Sequence, residues 1–258
     1  MHHKIKLLIL VLICLLAFSA IFFVKPIPQD EAYHKFADQR EVFGIPNFWN
    51  VLSNIPLFLV GLIGTIAGFK KKWVGFDTPA YGAYLLFFIG VGFIGLGSAY
   101  YHFNPNTNTL FWDRLPMALS FMAFFSLIIT EHLHEKLGRA ILLPLVVLGC
   151  GSVLYWRWTE QSGSGDLRPY ALVQFLPIIL IPFIVITSRS GYTRRKDLYV
   201  VLLAYLAAKL TEHFDSFLYA LTKVLSGHTL KHFFGALAAY WLLRMLRLRL
   251  PSSGFPTF

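Results

Sequence analysis

Apolar runs of about twenty residues, long enough to cross the hydrocarbon core of a bilayer as α-helices, recur along this chain. The residues within each run are apolar continuously rather than alternately, which favours helices over the strands of a barrel. The connections are short, so we expect one compact bundle without a soluble domain. We predict an all-α, polytopic membrane helix bundle with spans at residues 5–24, 46–69, 78–103, 110–133, 139–156, 169–188, 197–220 and 226–248.

The composition agrees with an integral membrane protein. Of the 258 residues, 56% are hydrophobic and 14% are charged. A soluble domain carries roughly 25% charged residues. We therefore predict one extra N-terminal anchor helix at 1–25, a seven-helix core domain at 26–250 and a C-terminal tail at 251–258.

The first apolar run has two interpretations. Its short basic start and the small residues Ser19 and Ala20 are features of a signal peptide, but the run is long for one and ends at Lys25 and Pro26. We expect a retained anchor helix. Cleavage would leave seven spans and would not change the topology of the rest.

The net charge of +10 is distributed as in a membrane protein rather than a nucleic-acid-binding protein. If the N-terminus lies inside, most of the basic residues lie on the inner side, namely Lys4, Lys6, Lys70, Lys71, Lys72, Lys136, Arg139, Arg189, Arg194, Arg195, Lys196, Arg244, Arg247 and Arg249. This asymmetry follows the positive-inside rule and predicts both termini in the cytoplasm. No nucleic-acid partner is expected.

Polar residues from three distant segments are predicted at the outer ends of the spans. Ser98 and His102 close a span that runs outward, and Asp113 opens the span that returns. His228 and His232 open the last span. Because ionisable side chains at membrane depth are costly, we expect them to form a functional site at the outer or lumenal face.

The spacing of the histidines suits a metal ion. His228 and His232 are four residues apart and lie on one helical face, about 6 Å apart along the axis. With His102 they would form a three-histidine set that leaves a position for water, which favours a catalytic zinc over a closed structural site. The alternative is that each is a hydrogen-bonded core residue, and their common depth argues against it.

The segments SAYYH (98–102), WDR (112–114) and GHTLKH (227–232) together resemble the alkaline ceramidase family. This family lies within a membrane-hydrolase superfamily that also contains the progestin and adiponectin receptors. The superfamily carries a Ser-x-x-x-His motif, a following Asp and a late His-x-x-x-His, in the order found here. NFWNVLSN (47–54) resembles the start of the first core helix of the family, and the resemblance covers roughly residues 30–248.

The resemblance implies roles for the residues at the outer ends of the spans. His102, His228 and His232 would bind Zn²⁺, Asp113 would orient or deprotonate the water on it, and Ser98 would help to stabilise the oxyanion.

Eukaryotic members of the family also bind calcium through acidic residues before the first core helix. Asn47 stands at one of those positions here, and the acidic residues upstream do not match cleanly. This departure argues against a Ca²⁺ site.

Three further polar residues are expected to support the site from a second layer. Arg114 adjoins Asp113, and Glu212 and His213 lie in the outer half of the seventh span. Glu212 could instead form a salt bridge with Lys209. His213 is an alternative ligand if His102 does not bind the metal.

A separate cluster of Glu131, His132, His134 and Glu135 lies at the inner end of its span. That end is too far from the outer site for its side chains to bind the same metal. We predict a solvated loop.

The predicted function is zinc-dependent hydrolysis of an amide-linked lipid within the membrane, with ceramide as the best candidate and fatty acid and sphingoid base as products. The expected partners are this lipid substrate and the bilayer. A receptor or lipid-binding protein with a structural metal is an alternative, in which Asp113 would permanently fill the fourth position. A transporter that relays protons is less favoured, because the middle of spans 110–133 and 226–248 is almost entirely apolar.

Overall fold

Helices account for the regular structure of the chain. The computed structural model describes residues 3–251, so Met1, His2 and the predicted tail beyond Pro251 lie outside the described residues. Within 3–251, β-pairing is limited to isolated bridges. The α-helices are α1 His3–Phe23, α2 Phe48–Leu52, α3 Ile55–Phe69, α4 Tyr81–Phe103, α5 Thr107–His132, α6 Glu135–Gln161, α7 Arg168–Thr187, α8 Asp197–His213, α9 Asp215–Thr222 and α10 Gly227–Leu248.

The prediction of a polytopic membrane helix bundle is confirmed. Helical segments long and apolar enough to cross a membrane are Ile5–Phe23, Phe48–Phe69, Tyr81–Phe103, Thr107–His132, Glu135–Gln161 and Arg168–Thr187. The first of these is the N-terminal helix. In such helical segments the backbone N–H and C=O groups pair with each other, as the absence of water in lipid requires.

The last two predicted spans differ from these six segments. The span expected at 197–220 is divided into α8 and α9 at Phe214, and α8 has only 17 residues. A Cβ atom at Gly227 would overlap the carbonyl oxygen of Thr211 and the backbone of Asp215, so the start of α10 passes directly against the break. Helix α10 is continuous but is not among these six segments, and it carries His228, Lys231 and His232 in its first two turns.

The main core lies in the half of the bundle away from His102, His228 and His232. Side chains of α4, α5, α7, α8 and α10 meet there, and Tyr84, Leu127, Ile184 and Leu242 are fully buried. Burial of apolar surface stabilises a fold by about 25 cal/mol for each Å² that leaves water. Within a bilayer, close packing between helices takes the place of part of this stabilisation. The core fixes the angles at which α4, α5 and α10 reach the outer end.

The inner polar cluster is buried, and its prediction as a solvated loop is wrong for Glu131 and His132. The Glu131 carboxylate accepts from the guanidinium of Arg249 at 2.8 Å, and these side chains are 3% and 1% exposed. Tyr84 donates to the same carboxylate at 3.1 Å. His132 is also buried, whereas Glu135 pairs with Arg139 at the surface. Local hydropathy missed the pair because its cation lies 118 residues further along the chain.

Helix α1 is attached to the bundle at both ends. Near its start, the ammonium group of Lys6 donates to the carbonyl of Thr187. At its end, Arg168 donates to the carbonyl oxygens of Ile21 at 3.0 Å and Val24 at 2.5 Å. These contacts join α1 to both ends of α7.

The segment between α1 and α2 crosses one end of the bundle. Its Gln29 backbone N–H donates to Glu160 at 2.6 Å, and its Ala37 backbone N–H donates to Asp215 at 3.0 Å. A short 3₁₀ helix, Glu31–His34, lies within it. The segment therefore covers the end of the bundle where α4, α5 and α10 converge.

Candidate metal centre

Three histidines from two helices form a buried group at one end of the bundle. His102 lies in the last turn of α4, and His228 and His232 lie in the first two turns of α10. Their exposed fractions are 0%, 6% and 3%. One candidate ligand atom from each lies within 4.8 Å of the other two.

The ring nitrogens of this group converge and are only partly hydrogen-bonded. The Nε2 atoms of His102 and His228 are 3.2 Å apart, while Nδ1 of His102 and Nε2 of His232 have no hydrogen-bond partner among residues 3–251. Buried polar atoms without partners are rare and call for an explanation. Neutral imidazole is the commonest metal ligand, so converging nitrogens with unused lone pairs fit a metal ion. The group could hold a metal ion.

Ser53 sets the orientation of His232. The Ser53 hydroxyl lies 2.7 Å from Nδ1 of His232 and 3.2 Å from the carbonyl oxygen of Asn50. When the hydroxyl donates its proton to that carbonyl, its oxygen accepts from Nδ1–H, which leaves the lone pair of His232 on Nε2. Ligating histidines usually donate their second N–H in this way.

Asn50 fixes the first turn of α10. Its side-chain oxygen accepts from Thr229 at 2.8 Å, and its side-chain amide donates to the carbonyl of Asp38 at 3.2 Å. Ser226 caps the helix by accepting from the backbone N–H of Thr229 at 3.1 Å. Asn50 is fully buried, so these bonds have no competition from water. They fix the turn that carries His228.

Asp215 and Phe36 close the group on the outer side. The Asp215 carboxylate accepts from the backbone N–H of His228 at 2.7 Å and from that of Ala37 at 3.0 Å. It thereby joins α10 to the covering segment. The Phe36 ring centroid is 4.6 Å from the ring centroids of both His102 and His228, which excludes water from that face.

An ion pair stabilises the covering segment. The carboxylate of Asp38 accepts from Arg40 at 2.7 and 2.8 Å. Burial raises the pKa of Asp38, but the hydrogen bonds and charge of Arg40 outweigh this and hold the pKa below its ordinary value. Asp38 is therefore ionised at neutral pH.

Ser98 and Asp113 lie side by side, and Ser98 is one helical turn from His102. Ser98 is on α4 and Asp113 is on α5, they are 2% and 6% exposed, and the Ser98 hydroxyl faces the Asp113 carboxyl. Asp113 lies outside the three-histidine ligand group.

A close helix contact brings Ser98 and Asp113 together. A Cβ atom at Gly97 would overlap the carbonyl oxygen of Trp112. Pro116, inside α5, has no N–H to donate to that carbonyl, so the oxygen is free to face the neighbouring helix.

The residues expected in a second layer differ in their surroundings. The Glu212 carboxylate accepts from Lys209 at 2.5 Å, which is the predicted salt bridge, and from Lys231 at 2.6 Å. His213 is exposed and stacks edge-on against Phe214. Arg114 is buried among aromatic rings.

Sequence reasoning missed the residues that orient the group, chiefly Ser53, Asn50, Asp215 and Phe36. A signal was present for two of them. Buried polar residues recur three or four positions apart at Asn47, Asn50, Ser53 and Asn54, within an otherwise apolar stretch. This spacing places polar groups on one helical face.

The geometry defines a class of protein, namely a membrane helix bundle with a buried three-histidine group at one end. The sequence model of the family described as Ceramidase matches residues 43–250. The chain belongs to the ceramidase family, and the three histidines, Ser98 and Asp113 all lie within the matched residues. No curated protein and no solved structure matches the chain. The family implies an amidase, and the histidine group agrees with a metal-dependent one.

Proposed function

We propose that this protein is a zinc-dependent intramembrane amidase that hydrolyses an amide-linked lipid, with ceramide as the substrate. The observation that carries the proposal is the buried group of His102, His228 and His232 in a chain of the ceramidase family. Its three neutral nitrogen donors, without a thiolate or carboxylate among them, correspond to the ligand set of catalytic zinc.

The three histidines would hold the metal, and Ser53 would keep His232 in the ligating tautomer. A bound zinc ion supplies Lewis-acid polarisation of the amide carbonyl and activation of water at neutral pH.

Asp113 would carry the proton that the reaction moves. Its carboxylate takes a proton from the attacking water and delivers it to the nitrogen of the leaving amine. Because the Ser98 hydroxyl has one proton, it donates to Asp113 while the carboxylate is ionised. When Asp113 is protonated, this hydroxyl can donate to the oxyanion that develops on the carbonyl.

The position of the site suits a lipid substrate. Ser98, His102 and Asp113 lie at helix ends, next to apolar helix surfaces such as exposed Leu96 and Trp112. The acyl chain would remain in hydrocarbon while the amide reaches the polar group. The positive-inside distribution supports an orientation with both termini in the cytoplasm and the site at the outer or lumenal face.

The main alternative was a receptor with a structural metal, which would use Asp113 as a permanent fourth ligand. The location of Asp113 outside the histidine group favours the hydrolase instead.

The test is release of fatty acid and sphingoid base from ceramide by the purified protein. We expect activity that is lost on chelation, restored by Zn²⁺ and reduced at least about a hundredfold by Asp113→Asn, because proton transfer contributes about 10²–10⁴-fold. Asp77→Asn, at an exposed carboxylate, is the control and should retain activity. Full activity in His232→Ala would contradict the proposal.

A further inference from the structure

Arg114 is a buried cation surrounded by aromatic rings. Its exposed fraction is 6%. The guanidinium carbon lies 4.3 Å from the ring centroid of Trp156, 5.0 Å from that of Tyr170 and 5.5 Å from that of Tyr33. These rings come from α6, α7 and the covering segment. Cation–π contacts offset part of the cost of burying the charge but leave the N–H donors unused.

One buried donor of the guanidinium lacks an acceptor in the described part of the chain. Nη1 of Arg114 is buried and has no hydrogen-bond partner there. The ion pairs formed among residues 3–251 do not include Arg114, although its neighbour in sequence is Asp113. A buried charge without a paired acceptor is strongly unfavourable, so this donor is available for a ligand that carries an acceptor.

The charge around the site also favours an anion. Lys209 and Lys231 share the single carboxylate of Glu212. Counted together with Arg114 and Asp113, this set has three basic side chains and two carboxyl groups. A metal cation on the histidines would increase the excess.

We propose that Arg114 binds the carboxylate of the fatty acid released by the reaction. This proposal rests on the proposed function, in which the amide C–N bond breaks, water oxygen bonds to the acyl carbon and the nitrogen leaves as an amine. The reaction converts a neutral acyl group into a carboxylate beside Asp113. The planar guanidinium of Arg114 can donate two parallel hydrogen bonds to a carboxylate. Neutral ceramide has no carboxylate to accept them. Fatty acid therefore binds as a product inhibitor.

The experiment is equilibrium binding of radiolabelled oleate to the full-length protein in detergent, with oleyl alcohol and hexadecyl phosphate as competitors. We expect oleate to bind about tenfold more tightly than oleyl alcohol, because ionised hydrogen bonds are stronger than neutral ones. In Arg114→Gln the preference should fall to within about twofold, with oleyl alcohol binding retained as evidence of an intact lipid site. Arg114→Lys should show an intermediate preference for oleate, because lysine keeps the positive charge but lacks the planar guanidinium.

The matched control is Arg157→Gln. Arg157 also lies over an aromatic ring, Phe111, at 4.7 Å, but it donates to the carbonyl of Asn108 at 3.2 Å. This variant should keep the wild-type preference for oleate.

Two results would overturn the proposal. The first is an oleate affinity that is unchanged in Arg114→Gln. The second is binding of hexadecyl phosphate that depends on Arg114 while binding of oleate does not. That second result would assign Arg114 to the recognition of an anionic headgroup. Ceramide turnover measured on the same samples separates the two proposals. Arg114-dependent oleate binding without turnover supports the subsite and overturns the amidase function, whereas turnover with Arg114-independent oleate binding overturns the subsite alone.

Discussion

The Ser53 hydroxyl and Nδ1 of His232 lie 2.7 Å apart, although the two residues are separated by 179 positions in the chain. This contact occupies Nδ1 of His232 and leaves Nε2 for a metal. It also joins the break between α2 and α3 to the second turn of α10.

Ser53→Ala should weaken metal binding. Without the hydroxyl, Nδ1–H of His232 loses its acceptor and the ring loses its fixed orientation, and loss of such a partner typically costs about 10–100-fold in metal affinity. Zinc titration against a competing chelator measures the change. Ser126→Ala is the control, because that buried hydroxyl donates to the Gly138 carbonyl at 2.8 Å in the inner half. Wild-type zinc affinity in Ser53→Ala would contradict this role.

Gly97→Ala should displace Ser98 from Asp113. The added methyl group would overlap the Trp112 carbonyl, so α4 and α5 must separate at the site. We expect thermal unfolding at lower temperature and a loss of ceramide hydrolysis. Gly151→Ala has open space at its Cβ position and should be neutral, or stabilising by up to about 1 kcal/mol from helix propensity. Equal behaviour of the two variants would refute the steric argument.

Asp38→Asn should destabilise the protein at neutral pH but not in acid. The folded-state pKa of Asp38 lies below its ordinary value of 3.8, so its ionised form stabilises the fold above the unfolded-state pKa. This stabilisation is lost as pH falls through the folded-state pKa. The difference in thermal midpoint between wild type and variant should therefore be present at pH 7 and shrink below about pH 4. A difference that does not change with pH would show that the ion pair with Arg40 is not its source.

Glu131→Gln should strongly destabilise the inner half. The variant leaves the buried guanidinium of Arg249 without its carboxylate, and breaking a buried pair costs about 3–5 kcal/mol. Glu135→Gln removes a surface pair with Arg139 instead and should cost less than about 1 kcal/mol. Chemical denaturation in detergent measures both. Similar losses in the two variants would be inconsistent with a structural role for the buried pair.

The sequence predicted the helices and the depth of the histidines, because both depend on local hydropathy and on the 3.6-residue period. It could not place Ser53 against His232 or Glu131 against Arg249, since each contact depends on how distant helices are rotated. The break at Phe214 was missed as well, because residues 197–220 are apolar enough to be predicted as one span.

The most direct test of the central claim is the zinc content of the purified protein. Wild type and the control His213→Ala, at an exposed histidine, should each hold about one zinc per chain after equilibration with Zn²⁺, as a single three-histidine site requires. His228→Ala/His232→Ala should hold almost none, because one histidine cannot retain the ion. Equal zinc in the double variant and in wild type would contradict the account.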